Sequence, residues 1–318
     1  MRKLFMVLAL AFAANSLNIS ASEAADVSTI NDLGFEEQAP AALPYEVQRR
    51  QLVEHVDRVL SAENQRERLR AHADLLEKVD ALSEALDRAV SSSSEDSVIR
   101  TVAVWAFGER GTPQACTSVR RATSDLEAPL FQLSLAVARG RCGDSSYLRS
   151  VLRQGTDYTR PRAAVALGLL EDKGSISTVQ TLAQDAHGTE YETYYTLARG
   201  LFGDTTTTPE LILLLQDRDQ HLHAAIALAR MGHDFAVFDL QAATRSPESL
   251  LRWAAAKVLT SKRLPGSCEV LGKLTQDADA SVVELSAGVM NKWRREAEEH
   301  WLREGFNMDN FSPRAYCP

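Results

Sequence analysis

Two histidines close to two aspartates are the nearest approach to a metal-binding or catalytic cluster in this chain of 318 residues. His221 and His223 follow shortly after Asp217 and Asp219. On a helix, residues two apart point about 200° away from each other, so the two imidazole rings cannot bind one ion. The spacing therefore favours the solvated start of a helix over a metal site.

The sequence lacks the other motifs that would position reactive groups. No Gly-x-Ser-x-Gly segment places a serine nucleophile on a turn, and no glycine-rich loop precedes a lysine as in phosphate-binding loops. Neither Asp217 nor Asp277 begins a calcium-binding loop, because such loops need alternating ligands and a central glycine. We therefore predict no catalytic residue, no metal ion and no cofactor.

The first residues have the pattern of a secretory signal peptide. Arg2 and Lys3 precede an apolar run at 4–14, and the small residues Ser22 and Ala24 stand before the predicted cleavage point after residue 24. No later segment has the roughly 20 apolar residues that a membrane-spanning helix needs. We predict an exported protein without a membrane span after cleavage, either periplasmic in a bacterium or secreted.

The charge balance argues against nucleic-acid binding. The net charge is -8 at pH 7, so the basic surface that supplies most of the affinity for phosphate backbones is missing. The partner class that remains is a protein or a peptide.

A motif that ends in glycine recurs about every thirty residues. Two further units without the glycine end near residues 230 and 260. A sustained period of this size is typical of stacked repeats that cannot bury their apolar faces alone. The four glycines are Gly108, Gly140, Gly168 and Gly200.

Each unit has two helical patterns. At 160–168, alanines and Leu167 recur at helical spacing, and Gly168 suits the left-handed position that ends a helix. A second apolar ladder follows at Ile176, Val179 and Leu182. The sequence therefore predicts an all-α fold, an α-solenoid of about seven stacked helix hairpins, with acidic loops whose aspartates cap the next helix.

Several segments resemble a known repeat family. The segments RAAVALG at 162–168 and LRWAAA at 251–256, with the Gly-Asp turns at 143–144 and 203–204, are similar to HEAT repeats of the phycobilisome-lyase type over residues 98–292. The resemblance implies a scaffold, because only a few members of that family are enzymes. HEAT-repeat hydroxylases bind iron through His-Glu dipeptides, and this sequence has none.

The array is flanked by distinct segments. We predict a flexible leader at 25–45, an N-terminal cap of two helices at 46–90, a solenoid at 97–304 and an aromatic tail at 305–318. Ser61 is a candidate cap for the second helix of the N-terminal pair, and Asp96 is a candidate cap for the helix that follows it.

Four cysteines in an exported chain favour two disulfides, for which three pairings exist. Cys116 and Cys142 fall near equivalent ends of adjacent layers, and Cys317 reaches Cys268 if the tail folds back. We predict these two pairs.

The predicted function is that of a scaffold without catalysis of its own, which binds a protein or peptide along a concave face lined by the second helices. The alternative is a lyase-type enzyme, or an enzyme subunit, that acts on a bound small molecule or protein. The predicted partner-binding residues are Arg149, Arg153, Gln180, Gln184, Ile212, Leu213 and Lys273.

Overall fold

The computed structural model describes residues 43–63, 65–122, 128–217, 219–233, 236–262 and 266–303. Within these ranges the chain forms sixteen α-helices and no strand, as an all-α solenoid requires. The helices are α1 (Tyr45–Ser61), α2 (Gln65–Glu77), α3 (Ser83–Ser91), α4 (Ser97–Arg110), α5 (Pro113–Arg121), α6 (Pro129–Arg141), α7 (Ser146–Gln154), α8 (Thr159–Leu169), α9 (Ile176–Asp185), α10 (Glu192–Leu201), α11 (Thr208–Leu214), α12 (His221–Met231), α13 (Val237–Ala243), α14 (Ser249–Lys262), α15 (Ser267–Leu274) and α16 (Ala280–Arg303).

The helices from α4 to α15 alternate between inner and outer positions. The first helix of each hairpin is buried almost all round: in α8, every residue from 161 to 169 is buried. The second helix keeps one exposed face, and in α9 only Val179 is fully buried. Small alanine side chains let the inner helices approach closely, while larger apolar side chains of the outer helices cover them.

The repeated glycines are contact points between helices, which corrects the prediction for Gly168. Gly168 lies inside α8, not at its left-handed end. A Cβ atom at Gly168 would come 2.8 Å from the Cβ of Leu201 on α10, closer than two carbon atoms can pack. The glycine is needed because α8 and α10 approach too closely there for any side chain. Gly108 is equally close to the Ala138 Cβ, at 2.8 Å, whereas at Gly140 and Gly200 the nearest atoms are the movable ends of Leu170 and Leu211.

The left-handed residue that ends the inner helices lies three positions later. It is a glycine in the neighbouring units, at Gly143 and Gly203, but in the α8 unit it is Glu171, with φ 56°. A side chain in this conformation costs about 1 kcal/mol. The Glu171 carboxylate bonds Lys257 Nζ at 2.5 Å and lies 3.5 Å from Arg230 Nη2, and these ion pairs offset that cost.

Arg230 ties the ends of two inner helices together. Its Nη1 donates to the carbonyl oxygens of Gly168 at 2.7 Å and Leu201 at 3.2 Å, and its Nη2 donates to that of Leu169 at 2.9 Å. Carbonyls at helix C-termini have no partner within the helix and carry partial negative charge. The Arg230 guanidinium suits these carbonyls because it donates hydrogen bonds and carries a positive charge.

The array curls until its first hairpins meet its last ones. Glu109 Oε2 at the end of α4 accepts from the Ser249 backbone N–H at 2.7 Å. Arg141 at the end of α6 forms an ion pair with Asp279, and the two side chains are 3% and 0% exposed. In an extended array each repeat contacts only its neighbours. Here the inner helices fill the inside of the curve, so the second helices lie outside and do not line the predicted concave groove.

Three helices, not the predicted two, precede the array. The apolar ladder over residues 75–90 is divided between α2 and α3. Ser61 is the last residue of α1 and its hydroxyl donates to the Arg58 carbonyl, so it does not cap α2. The prediction for Asp96 is confirmed: its carboxylate accepts from the backbone N–H groups of Val98 and Ile99 at the start of α4.

One of the two predicted disulfides is confirmed. Cys116 on α5 is bonded to Cys142 after α6, with a Cα–Cα distance of 5.4 Å. Cys317 lies outside the described residues, so its pairing with Cys268 stays a prediction. The predicted signal peptide, most of the leader and the aromatic tail lie outside them as well. No helix in the described part of the chain has the length and apolar character to cross a bilayer.

Candidate functional site

Two of the predicted partner-binding residues come together at a cleft on the outer face. Gln180 and Gln184 are exposed on one side of α9, one helical turn apart, and both line a cavity of about 400 Å³ beside α10. The other lining residues are Ala183, His187, Glu192, Tyr195, Thr196, Arg199 and Asp204.

A second cavity of about 400 Å³ continues this space toward the start of α9. It shares Gln180, Arg199 and Asp204 with the first, and adds apolar walls at Ile176 and Phe202. The two cavities form one groove, which we call the α9–α10 cleft. The outer helix α9 forms one side of this cleft, and the inner helix α10 with the turn that follows it forms the floor.

An ion pair anchors the middle of the cleft. Arg199 Nε donates to Asp204 Oδ2 at 2.9 Å, and Arg199 Nη2 donates to the Thr206 hydroxyl at 2.9 Å. Burial opposes ionisation of Asp204, but the hydrogen bonds from Thr206 and Arg199 outweigh it and lower the pKa of this carboxyl. The guanidinium is thereby held in one orientation along the floor.

A second pair of side chains, His187 and Glu192, lies at the far end of the cleft. His187 Nδ1 lies 2.7 Å from Glu192 Oε1, and the Gly188 backbone N–H donates to Glu192 Oε2 at 2.9 Å. The backbone bond from Gly188, followed by the bond from His187, lowers the pKa of the Glu192 carboxyl.

The polar groups of the cleft are hydrogen-bonding groups and two ionised carboxylates. Both carboxylates are held ionised by their partners, so neither is a proton donor near neutral pH. The exposed amides of Gln180 and Gln184 each present a donor and an acceptor, the same pair of groups that a peptide bond presents.

The remaining predicted residues are dispersed over other outer helices. Arg149 on α7 bonds both oxygens of Asp172 in the next unit, at 2.9 to 3.2 Å, so its guanidinium links repeats. Arg153 is exposed at the end of α7. Lys273 lies on α15, three hairpins beyond α9, and pairs with Glu269 at 2.8 Å.

Ile212 and Leu213 form an exposed apolar pair on α11. They are 42% and 68% exposed, in contrast to the buried Leu211 beside them. This helix follows the turn at 205–207, which borders the α9–α10 cleft through Thr205. The apolar pair therefore lies on the helix next to the cleft.

The two histidines of the predicted cluster, His221 and His223, differ in burial. His221 and His223 lie at the start of α12, where a helix start was predicted, but His223 is only 1% exposed and is not solvated. Neither of its ring nitrogens has a hydrogen-bond partner among the described residues. Burial, with a smaller effect of His221, lowers the pKa of His223 to about 4. In the described part of the chain, no three His, Cys, Asp or Glu side chains are grouped to hold a metal ion.

Sequence reasoning missed Arg199 and Asp204 as cleft residues. The Arg-x4-Asp spacing was visible at the Gly-Asp turn, yet the same spacing occurs at Arg139 and Asp144 with a different outcome. There the arginine donates to backbone carbonyls of the preceding hairpin, including that of Ala122 at 2.7 Å. The motif alone could not separate the two roles.

Comparisons with known proteins give no family. Neither a protein-family model nor a curated protein matches the chain. Among solved structures, human deoxyhypusine hydroxylase in complex with glycerol is similar at 14% identity, with 79% of this chain and 98% of that chain covered and a TM-score of 0.31. A likeness of this degree carries no weight for function.

Proposed function

We propose that this chain is an exported, HEAT-like scaffold that binds an extended peptide segment of a partner protein in the α9–α10 cleft, without catalysis of its own. The observation that carries the proposal is the pair of exposed amides, Gln180 and Gln184, on one wall of a groove lined mainly by polar side chains.

The cleft suits a peptide backbone better than a charged ligand. Arg199 is matched by Asp204, and the Glu192 carboxylate is already hydrogen-bonded by His187 and the Gly188 N–H, so the charged groups of the groove have partners within the chain. Glutamine amides one turn apart can bond the N–H and C=O groups of a chain lying across them. Ile212 and Leu213 on the next helix supply apolar contact for a side chain of the same peptide.

The outer location follows from the closure of the array. Because the inner helices are buried against one another, the surface available to a partner is that of the second helices and the clefts between them. The α9–α10 cleft thus takes the place of the concave face expected from the sequence.

The confirmed disulfide supports export. Stable disulfides are typical of oxidising compartments, and the Cys116–Cys142 bond joins two adjacent hairpins. The N-terminal sequence supplies the corresponding export signal.

A peptide-display experiment tests the proposal. The chain without residues 1–24 is screened against a random peptide library, and selected peptides are titrated against Gln180→Ala/Gln184→Ala and against a control, Gln114→Ala/Gln154→Ala. The control removes two exposed glutamines on other outer helices. We expect about tenfold weaker binding by the cleft variant, since two hydrogen-bonding amides are lost, and unchanged binding by the control.

Two outcomes would contradict the proposal. One is that no peptide is selected by a chain whose far-ultraviolet spectrum is helical. The other is that selected peptides bind the cleft variant as tightly as the control, which would place the peptide site elsewhere.

A further inference from the structure

A small cavity lies where the first and last hairpins of the array meet. Its volume is about 50 Å³, and its wall is mainly apolar with a few charged groups. Side chains come from α4, from α6 and from the residues that begin α14. The lining residues used below are Glu109, Leu133, Ser134, Val137, Arg141, Glu248 and Leu250.

Arg141 supplies hydrogen-bond donors that the protein does not use. Its side chain is 3% exposed, and its Nη2 donates to Asp279 and to the Ser281 hydroxyl. Its Nε and Nη1 are buried and have no hydrogen-bond partner among the described residues. Leaving a buried donor unsatisfied destabilises the folded protein, so an acceptor in this cavity would remove that penalty.

The other charged groups at the cavity are carboxylates. Glu109 Oε2 accepts from the Ser249 N–H, and Glu248 lines the same space. The Arg141 charge is already balanced by Asp279. The nearby Arg252 is balanced by Asp277. A simple anion would therefore meet the Glu109 carboxylate with little excess positive charge to hold it, so the ligand needs a cationic group as well.

We propose that the cavity binds a small zwitterion, an α-amino acid with a short apolar side chain. Its carboxylate accepts from Arg141 Nε and Nη1, its ammonium group faces Glu109 and Glu248, and its side chain packs on the apolar wall formed by Leu133, Val137 and Leu250. One buried water occupies 10–15 Å³ on the same scale, so there is room for about four waters. This limits the ligand to about the size of alanine.

The position of the cavity gives such a ligand a structural effect. Its walls come from hairpins that are far apart in sequence, and Arg141 already joins them through Asp279. A ligand that bonds Arg141 on one side and Glu248 on the other stabilises the closed array by mass action. This site is separate from the α9–α10 cleft and does not depend on it.

Thermal unfolding and calorimetric titration of the chain without residues 1–24 test the proposal, with L-alanine, L-leucine, acetate and ethylamine each at about 10 mM. We expect L-alanine to raise Tm by about 3 °C, and the three other probes to raise it by less than half as much. Leucine is larger than the cavity. Acetate has a carboxylate but no ammonium group, and ethylamine has an ammonium group but no carboxylate.

Two variants separate binding from folding. Arg141→Lys keeps a cation opposite Asp279 but removes the guanidinium fork, and Ser134→Leu fills the cavity without changing a charge. Both should lose the response to alanine. Ser177→Leu, at an exposed position of α9, is the matched control and should keep it.

The result that overturns the site is the absence of an alanine response in the unmodified chain, or a response that persists in either variant. If acetate raised Tm as much as alanine, the ligand would not need an ammonium group and the assignment of a zwitterion would be wrong. If leucine raised Tm as much as alanine, the size limit on the ligand would be wrong.

Discussion

The burial of His223 lowers the free energy of unfolding at acidic pH. The imidazole is 1% exposed on α12, its ring nitrogens make no hydrogen bond within the described residues, and burial lowers its pKa from 6.5 to about 4. The unfolded chain exposes this ring, where its pKa returns to about 6.5. The unfolded state therefore binds more protons between these two values.

The sign and size of the effect follow from this difference. Stability is complete above pH 6.5 and is lost as the pH falls toward 4, because the folded protein must keep the ring neutral while the unfolded chain gains a proton. At pH 5 the loss from this one residue is about 2 kcal/mol. For a chain of this length, that corresponds to a decrease in Tm of roughly 4 °C.

The assay compares Tm at pH 7.5 and pH 5.0 in the unmodified protein, His223→Leu and His221→Leu. Leucine has a similar size and no proton to bind, so the Tm of His223→Leu should fall by about 4 °C less than that of the unmodified protein. His221→Leu removes a partly exposed histidine from the same helix turn and should behave like the unmodified protein. Equal decreases in His223→Leu and the unmodified protein would refute the argument.

Two further predictions concern the packing of the inner helices. Gly168→Ala should destabilise the protein by about 1–3 kcal/mol, because the new Cβ would lie 2.8 Å from Leu201 Cβ, whereas Gly272→Ala, with nothing within 4 Å, should be neutral or stabilising in urea denaturation. Arg230→Met should cost about 3 kcal/mol by removing the guanidinium bonds to the Gly168, Leu169 and Leu201 carbonyls, of which Gly168 keeps the Glu171 N–H as a donor, and Arg153→Met, at an exposed site, should cost less than about 0.5 kcal/mol. Equal midpoints within either pair would contradict the corresponding prediction.

The local pattern was enough to predict the hairpins. The apolar spacing at 176–182 predicted the second helix of a hairpin, and α9 lies there with Val179 buried. Asp96 and the Cys116–Cys142 pair were also predictable, because caps and neighbouring layers depend on residues close in sequence.

Closure of the array could not be predicted in this way. The Arg141–Asp279 ion pair joins residues 138 positions apart, and the sequence around either residue does not indicate which residue it pairs with. The same closure places the second helices on the outside of the curve.

Glycine positions show a second limit of local reasoning. Gly168 follows a helical ladder, and a helix end was a sound interpretation of that pattern. The structure places the end three residues later, at Glu171, where the left-handed backbone carries a side chain. Only the ion pairs to Lys257 and Arg230, which lie 86 and 59 positions away, explain a glutamate there.

The division between inner and outer helices determines where function can reside. The inner helices α4, α6, α8, α10 and α12 contain no exposed residue, so a substitution there acts through packing unless it falls on the α10 residues that line the cleft. Among the described residues, the outer helices α5, α7, α9, α11 and α15 present exposed side chains, and beside α9 the floor of the cleft is the inner helix α10 with the turn that follows it. The Arg199–Asp204 ion pair holds two side chains of that floor in place. For the peptide proposed above, side chains that are oriented before binding lower the entropic cost of recognition.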